Sequence, residues 1–240
     1  MKIKLTLFAV FFAVLTFTSC EDNPLEGSFI DETGVGTASG GLSGGTGTST
    51  GDYWPRAIGN TWTYDLSSGG QETQEMTATL NEGGKTYYTT PVSLGTTSGV
   101  FGVAKQAASY FVRTTVLVSA GGYDTTTAQP LKVKQLQDDA SVGVTWENPM
   151  SVTYTYTPTA GGTAIPNVVL NLNYKYTMVE RDMTKTVNGQ VYTNVLHISL
   201  VLETTGQPNI LGNYYYAKDV GIIEYNVGTD SRTLNSYTLN

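Results

Sequence analysis

Residues Val168–Glu203, VVLNLNYKYTMVERDMTKTVNGQVYTNVLHISLVLE, decide the fold. At their centre Asn188-Gly189 is a dipeptide that tolerates the positive φ angles of a type I′ turn, whose twist suits the strands on either side. Both flanks alternate as strands do. After the turn Tyr192, Leu196, Ile198, Leu200 and Leu202 point one way, and Val191, Thr193, Val195, His197, Ser199 and Val201 the other. The stretch reads as two long antiparallel strands, Val168–Val187 and Gln190–Glu203. Strands beyond about 10 residues bend or carry a bulge. The expectation is an all-β fold: an antiparallel, strongly curved sheet or partial barrel.

The neighbouring sequence supports this reading in both directions. NYYYAKDVGIIEYNVG (Asn213–Gly228) is broken at Gly221, which marks a bulge or tight turn between strands, and SRTLNSYTL follows as a last strand. Toward the N-terminus, TWTYDL places Trp62, Tyr64 and Leu66 on one face. SSGG then turns the chain into ETQEMTATL, with Met76, Ala78 and Leu80 sharing a face, and NEGG turns it into KTYYTTPV, which predicts a three-strand meander. Gly99–Ala104 and Ser109–Ser119 form the next pair. LKVKQLQDD (Leu131–Asp139) fits a helix, or equally a strand and loop. Pro149, Pro158, Pro166 and Pro208 are expected where strands end.

The domain so outlined, 53–240, hangs from a different kind of sequence. Lys2 and Lys4 precede an apolar run, Leu5–Thr18, of 14 residues. That is short of the roughly 20 a membrane-spanning helix needs and matches an export signal that is removed, 1–19. Thr18-Ser19-Cys20 resembles the bacterial lipobox, whose cysteine is lipidated and becomes the first mature residue; Phe17 stands where that pattern prefers Leu. Cys20 is the only cysteine of the chain, so it has no disulfide partner. The resemblance implies lipidation at Cys20, with palmitate among the acyl chains, and an outer-membrane location. Glu21-Asp22 resembles the surface-export signal of Bacteroidetes-type lipoproteins, or else begins a solvated linker, which leaves cell surface and periplasmic face both open.

Residues 20–52 then hold six acids, no Lys or Arg, and the segment TGVGTASGGLSGGTGTSTG. So little apolar surface cannot offset the entropy of ordering, and a disordered tether is expected, open to O-linked sugar on its Ser and Thr. The net charge of −7 is mostly this tether; 53–240 carries only −3. Nucleic acid is not an expected partner, because no basic stripe supplies phosphate contacts.

YWPRAIGNTWTYDL, LKVKQLQDDASVGVTWENP, NGQVYTNVLHISL and YYYAKDVGIIEYN together resemble landmarks of small β-rich lipoproteins of the Bacteroidetes. The resemblance covers most of the domain and implies class, location and extent, with no settled biochemical role attached.

Chemistry-bearing residues are few. His197 is the only histidine and sits mid-strand without a nucleophile motif, which favours a structural role. With one His and a lipidated Cys no zinc site is expected, and no cofactor. The GGTG and GGLSGG strings lie in the tether and are no phosphate cradle. A glycosidase-type carboxylate pair could come from such acids as Glu147, Glu180, Asp182, Glu203, Asp219 or Glu224, whose spacing the sequence does not give. Aromatics are the enriched resource, with 16 Tyr and 3 Trp. Tyr154 with Tyr156, and Tyr174 with Tyr176, put rings on one strand face; in Tyr214-Tyr215-Tyr216 the middle residue faces away from its neighbours. Such ladders serve cores and ligand platforms alike. Tyr154, Tyr156, Tyr174, Tyr176 and Tyr215 are the candidate ligand-binding residues. The leading expectation is a non-enzymatic binding or structural module for glycan or an apolar ligand. A surface hydrolase with paired carboxylates, or a subunit pairing through a sheet edge, are the alternatives.

Overall fold

Asn188 and Gly189 take φ of 48° and 79°, and Val187 pairs with Gln190 across them, as the dipeptide predicts. The structure, a computed structural model, describes residues 47–94, 97–159 and 163–240. The signal 1–19, Cys20 and tether residues 21–46 lie outside the described residues. The strands are β1 (Thr61–Leu66), β2 (Gln71–Glu75), β3 (Ala78–Glu82), β4 (Lys85–Leu94), β5 (Thr97–Gln106), β6 (Ser109–Ala120) and β7 (Tyr123–Thr127), then β8 (Leu131–Gln137), β9 (Thr145–Pro158), β10 (Val168–Val187), β11 (Gln190–Thr204), β12 (Ile210–Ala217), β13 (Gly221–Val227) and β14 (Asp230–Thr238). All belong to one antiparallel sheet ordered β2-β1-β14-β13-β12-β11-β10-β9-β7-β6-β5-β4-β3, with β8 paired to β6 beside that path. Leu131–Asp139 is therefore strand and turn, not helix.

The long hairpin bends where its ladder slips. In β10, Leu172, Tyr174, Tyr176 and Met178 point inward. At Asp182, whose φ is 53°, the register shifts. Beyond it the odd-numbered Val187 is the buried residue. A bulge changes which parity faces the core and bends the strand toward it. Asn194 (φ 53°) does the same in β11, so Val195, expected to point outward, is completely buried beside Leu196.

ETQEMTATL is not one strand. The chain turns a corner at Met76-Thr77, so β2 pairs with β1 while β3 pairs with β4. Met76 N–H donates to Asn60 C=O (2.9 Å) and Thr77 N–H to Thr89 C=O (2.9 Å). The two end strands of the sheet are thus consecutive in the chain, and the sheet rolls round to bring them together without a hydrogen-bonded ladder between them. Met76 is buried at the corner, while Ala78 and Leu80 are exposed.

A second seam lies between β6 and β9. The late half of β6 pairs with β7, which pairs with β9. The early half pairs with β8, and side chains bridge β8 to β9. Buried Asn148 accepts from Lys134 N–H (2.7 Å) and donates to Lys134 C=O and Tyr174 C=O (both 3.2 Å); Trp146 Nε1–H donates to Lys134 C=O (2.9 Å). Pro149 lies inside β9, opposite Asn173 of β10, rather than at its end. It is tolerated because β9 has no backbone ladder on the β8 side there. Pro158 does end β9, and Pro166 and Pro208 lie between strands.

Candidate functional site

The inner face of the rolled sheet buries one large cluster in which aromatic rings recur on strand after strand. Its base is built by the segment before β1. Residues 48–52, expected to be the end of a free tether, are fastened to the domain. The Asp138 carboxylate, fully buried, accepts from Thr50 N–H (2.9 Å) and Ser49 Oγ (2.7 Å), with the Lys105 ammonium 3.3 Å away. Arg181 donates to the carbonyls of Asp138 (2.7 Å) and Ala140 (2.6 Å). Tyr53 N–H donates to the Tyr110 hydroxyl (2.8 Å), which lies 3.1 Å from Gly51 C=O as its donor. Asp219 N–H donates to Asp52 C=O (2.6 Å). This strap turns Trp54 inward, between Phe101 (centroids 5.7 Å) and Tyr216 (5.8 Å).

Above Trp54 the packing stops short. A cavity of about 190 Å³ lies inside the sheet. Apolar side chains such as Phe101, Val112, Val133 and Ile222 form part of its wall. The rest is a run of tyrosines in which Tyr174 stacks on Tyr176 (6.5 Å), Tyr176 meets Tyr214 (6.4 Å), Tyr214 stacks on Tyr225 (5.6 Å), and Tyr225 meets Tyr64 edge-on (6.4 Å). Burial raises the pKa of each of these phenols above the ordinary value, so they stay neutral. Thr114 and Val116 of β6, half-buried, line the part of the wall farther along the strand from the strap-bound Tyr110.

One charged cluster enters this apolar wall. Arg232 of β14 is 3% exposed. Its Nη1 faces Glu72 Oε2 of β2 and its Nε donates to Asp230 Oδ2 (3.2 Å), while its guanidinium carbon lies 5.4 Å from the Tyr225 ring centre. Gln74 Nε2 donates to the other Glu72 oxygen (3.0 Å). The register explains the meeting: Arg232 pairs with Leu66 and Glu72 with Tyr64 on the two sides of β1.

Of the residues singled out from the sequence, Tyr174 and Tyr176 line the cavity. Tyr154 is buried outside its wall, its phenol pushed up to about 12 by desolvation, and Tyr156 packs half-buried on the same cluster. Tyr215 lies on the outer face. There it stacks on His197 (4.4 Å) beneath the Lys185 ammonium (3.8 Å), and His197 shares a hydrogen bond with Asn213 (2.8 Å). The six acids considered for a carboxylate pair are not in the cavity wall. Glu147 and Glu203 flank Lys175, Glu224 pairs with Lys185, and Glu180 stands 3.8 Å from His197. Among the described residues no group of three or more His, Cys, Asp or Glu could hold a metal ion. The sequence reading missed Trp54, Glu72, Asp230 and Arg232. One signal was present: Arg232 and Leu234 share a strand face, so a charge interrupts an apolar stripe. Comparison of the chain with family models, curated proteins and solved structures finds no match.

Proposed function

We propose that this chain is a lipid-anchored outer-membrane protein, kin to the small β-rich lipoproteins it resembles, whose rolled sheet binds one small ligand without transforming it. The observation that carries the reading is the cavity: about 190 Å³ of space, walled by aromatic and apolar groups and holding a single buried charge cluster. Small-ligand sites have this composition, mostly apolar with a few placed polar groups. Packing at ordinary interior density leaves few voids larger than a water molecule, and the space here is many times that size. The lone Cys20, behind an export signal and ahead of an acidic, Gly-rich segment, supports the anchor. Two or more acyl chains on it give stable membrane attachment.

Both halves are testable in cells. Cys20→Ala should move the protein from the membrane fraction to the soluble fraction; retention in the pellet refutes the anchor. The protein purified from its envelope should carry a small molecule detectable by native mass spectrometry. Val116→Trp, which fills the cavity, should lose that molecule while remaining folded. If the filled variant retains it, the ligand sits elsewhere and the cavity reading fails.

A further inference from the structure

The chemistry of the cavity's occupant can be read from four hydroxyl groups. Three buried tyrosines give their hydroxyls a protein partner: Tyr64 donates to Ile222 C=O (3.0 Å), Tyr110 lies against Gly51 C=O (3.1 Å), and Tyr216 accepts from Gln135 Nε2 (2.8 Å). Tyr174, Tyr176, Tyr214 and Tyr225 differ. All line the cavity, and among the described residues no protein group hydrogen-bonds their hydroxyls. Tyr214 and Tyr225 count as only half-buried because the cavity leaves one side of each ring uncovered. None of the four hydroxyls is sealed off, so water can bond them when no ligand is bound. An occupant that displaces that water without replacing its bonds leaves each with the cost of an unmade hydrogen bond. A purely hydrocarbon occupant would leave that cost in place at all four.

Charge narrows the class further. Glu72 and Asp230 outnumber Arg232, so the cluster is net negative and opposes an anion. The natural place for a cation, over an aromatic face beside carboxylates, is already filled by the guanidinium of Arg232 over Tyr225. What remains is a neutral molecule with several groups that both donate and accept, since a phenol hydroxyl can do either. Size narrows it again. An engineered apolar cavity of about 150 Å³ holds benzene, so 190 Å³ suits one six-membered ring with its substituents.

We infer that the cavity takes a single uncharged sugar residue. Its C–H faces lie against the tyrosine and Trp54 rings, and its hydroxyls bond the free phenols of Tyr174, Tyr176, Tyr214 and Tyr225 and the carboxylates of Glu72 and Asp230. This inference rests on the proposal that the cavity is a binding site. The two are separated by titrating the detergent-solubilised full-length mature protein with the methyl glycosides of glucose, galactose, mannose and N-acetylglucosamine. Toluene serves as the apolar probe, and binding is followed by saturation-transfer NMR and Trp fluorescence. At least one glycoside should bind. Tyr214→Phe and Tyr225→Phe, which keep the ring and remove one hydroxyl, should each weaken it about tenfold, leaving toluene binding and Tm unchanged. Toluene binding with no glycoside binding overturns the sugar assignment and leaves the cavity a binding site. Binding of neither probe overturns both. Glycoside binding that both Phe variants leave intact overturns the role given to the hydroxyls.

Discussion

Raising the pH should unfold this protein cooperatively, and the tyrosines set where. Five phenols line the cavity (Tyr64, Tyr174, Tyr176, Tyr214 and Tyr225), and three buried ones lie near it (Tyr110, Tyr154 and Tyr216). Desolvation raises the pKa of every one in the folded state. A group whose folded pKa is raised contributes its full stability below the unfolded value, about 10 for Tyr, and loses it as pH rises beyond that. At pH 11 the unfolded chain gains about 1.4 kcal/mol for each phenol that ionises only when released. Eight of them amount to about 11 kcal/mol, comparable with the whole stability of a typical domain, about 5–15 kcal/mol. Circular dichroism followed from pH 8 to 12 should therefore fall in one steep transition above pH 10, and the tyrosinate absorbance of these eight phenols should appear together with it. Tyr176→Phe removes one titrating group and should make the fold about 1.4 kcal/mol less sensitive to pH 11. A gradual titration of all 16 tyrosines around pH 10, with the circular dichroism intact, would refute the buried-phenol account.

Arg232→Met should destabilise by about 3–5 kcal/mol in denaturant unfolding, because it strands two carboxylates in an apolar wall. Adding Glu72→Gln to that variant should recover part of the loss, and no recovery would mean the cluster is not the cause. Asn148→Leu removes the side-chain bridge between β8 and β9 and leaves Lys134 N–H without its partner. A loss of about 2–3 kcal/mol is expected from the unsatisfied backbone groups, together with faster amide exchange in β8; a loss under about 0.5 kcal/mol counts against the bridge. Gly221 holds φ of 116°, and a Cβ there would come 3.1 Å from Trp62 Nε1, so Gly221→Ala should cost about 1–3 kcal/mol. Gly189→Ala, where the added carbon meets nothing within 4 Å, should cost less, and equal Tm shifts for the two would rule out the Trp62 contact as the difference.

Local rules carried the sequence reading where the structure is governed by local rules. Asn188-Gly189 specifies its turn by backbone conformation alone, and Gly221 separates β12 from β13 for the same reason. The alternation of β11 holds up to the residue where Asn194 inserts a bulge and turns Val195 inward. ETQEMTATL reads as one strand because nothing in its composition marks a corner; the corner is imposed by Asn60 and Thr89, which take the amides of Met76 and Thr77. The cavity was legible only in part. Tyr174 and Tyr176 lie on one inward face of a strand that alternation places, whereas Trp54 enters through a strap fastened by Asp138, far along the chain. Glu72 and Arg232 meet only because β1 pairs with both the second strand and the last. Tyr215 follows the alternation rule, which sends it outward to His197 rather than to the cavity.

The pairing of β1 with β14 also fixes an order of events. A chain made from its N-terminus presents β1 early, with Trp62 and Tyr64 on a face that has nothing to cover it until Leu234 and Arg232 exist to lie beside it. Pairings between distant segments are slow because loop entropy is lost before the contacts form. Here the closure of longest sequence separation waits for β14. The growing chain therefore keeps one edge of β1 open until β14 has been made, and a product truncated before Asp230 would present that unpaired edge to quality-control proteases.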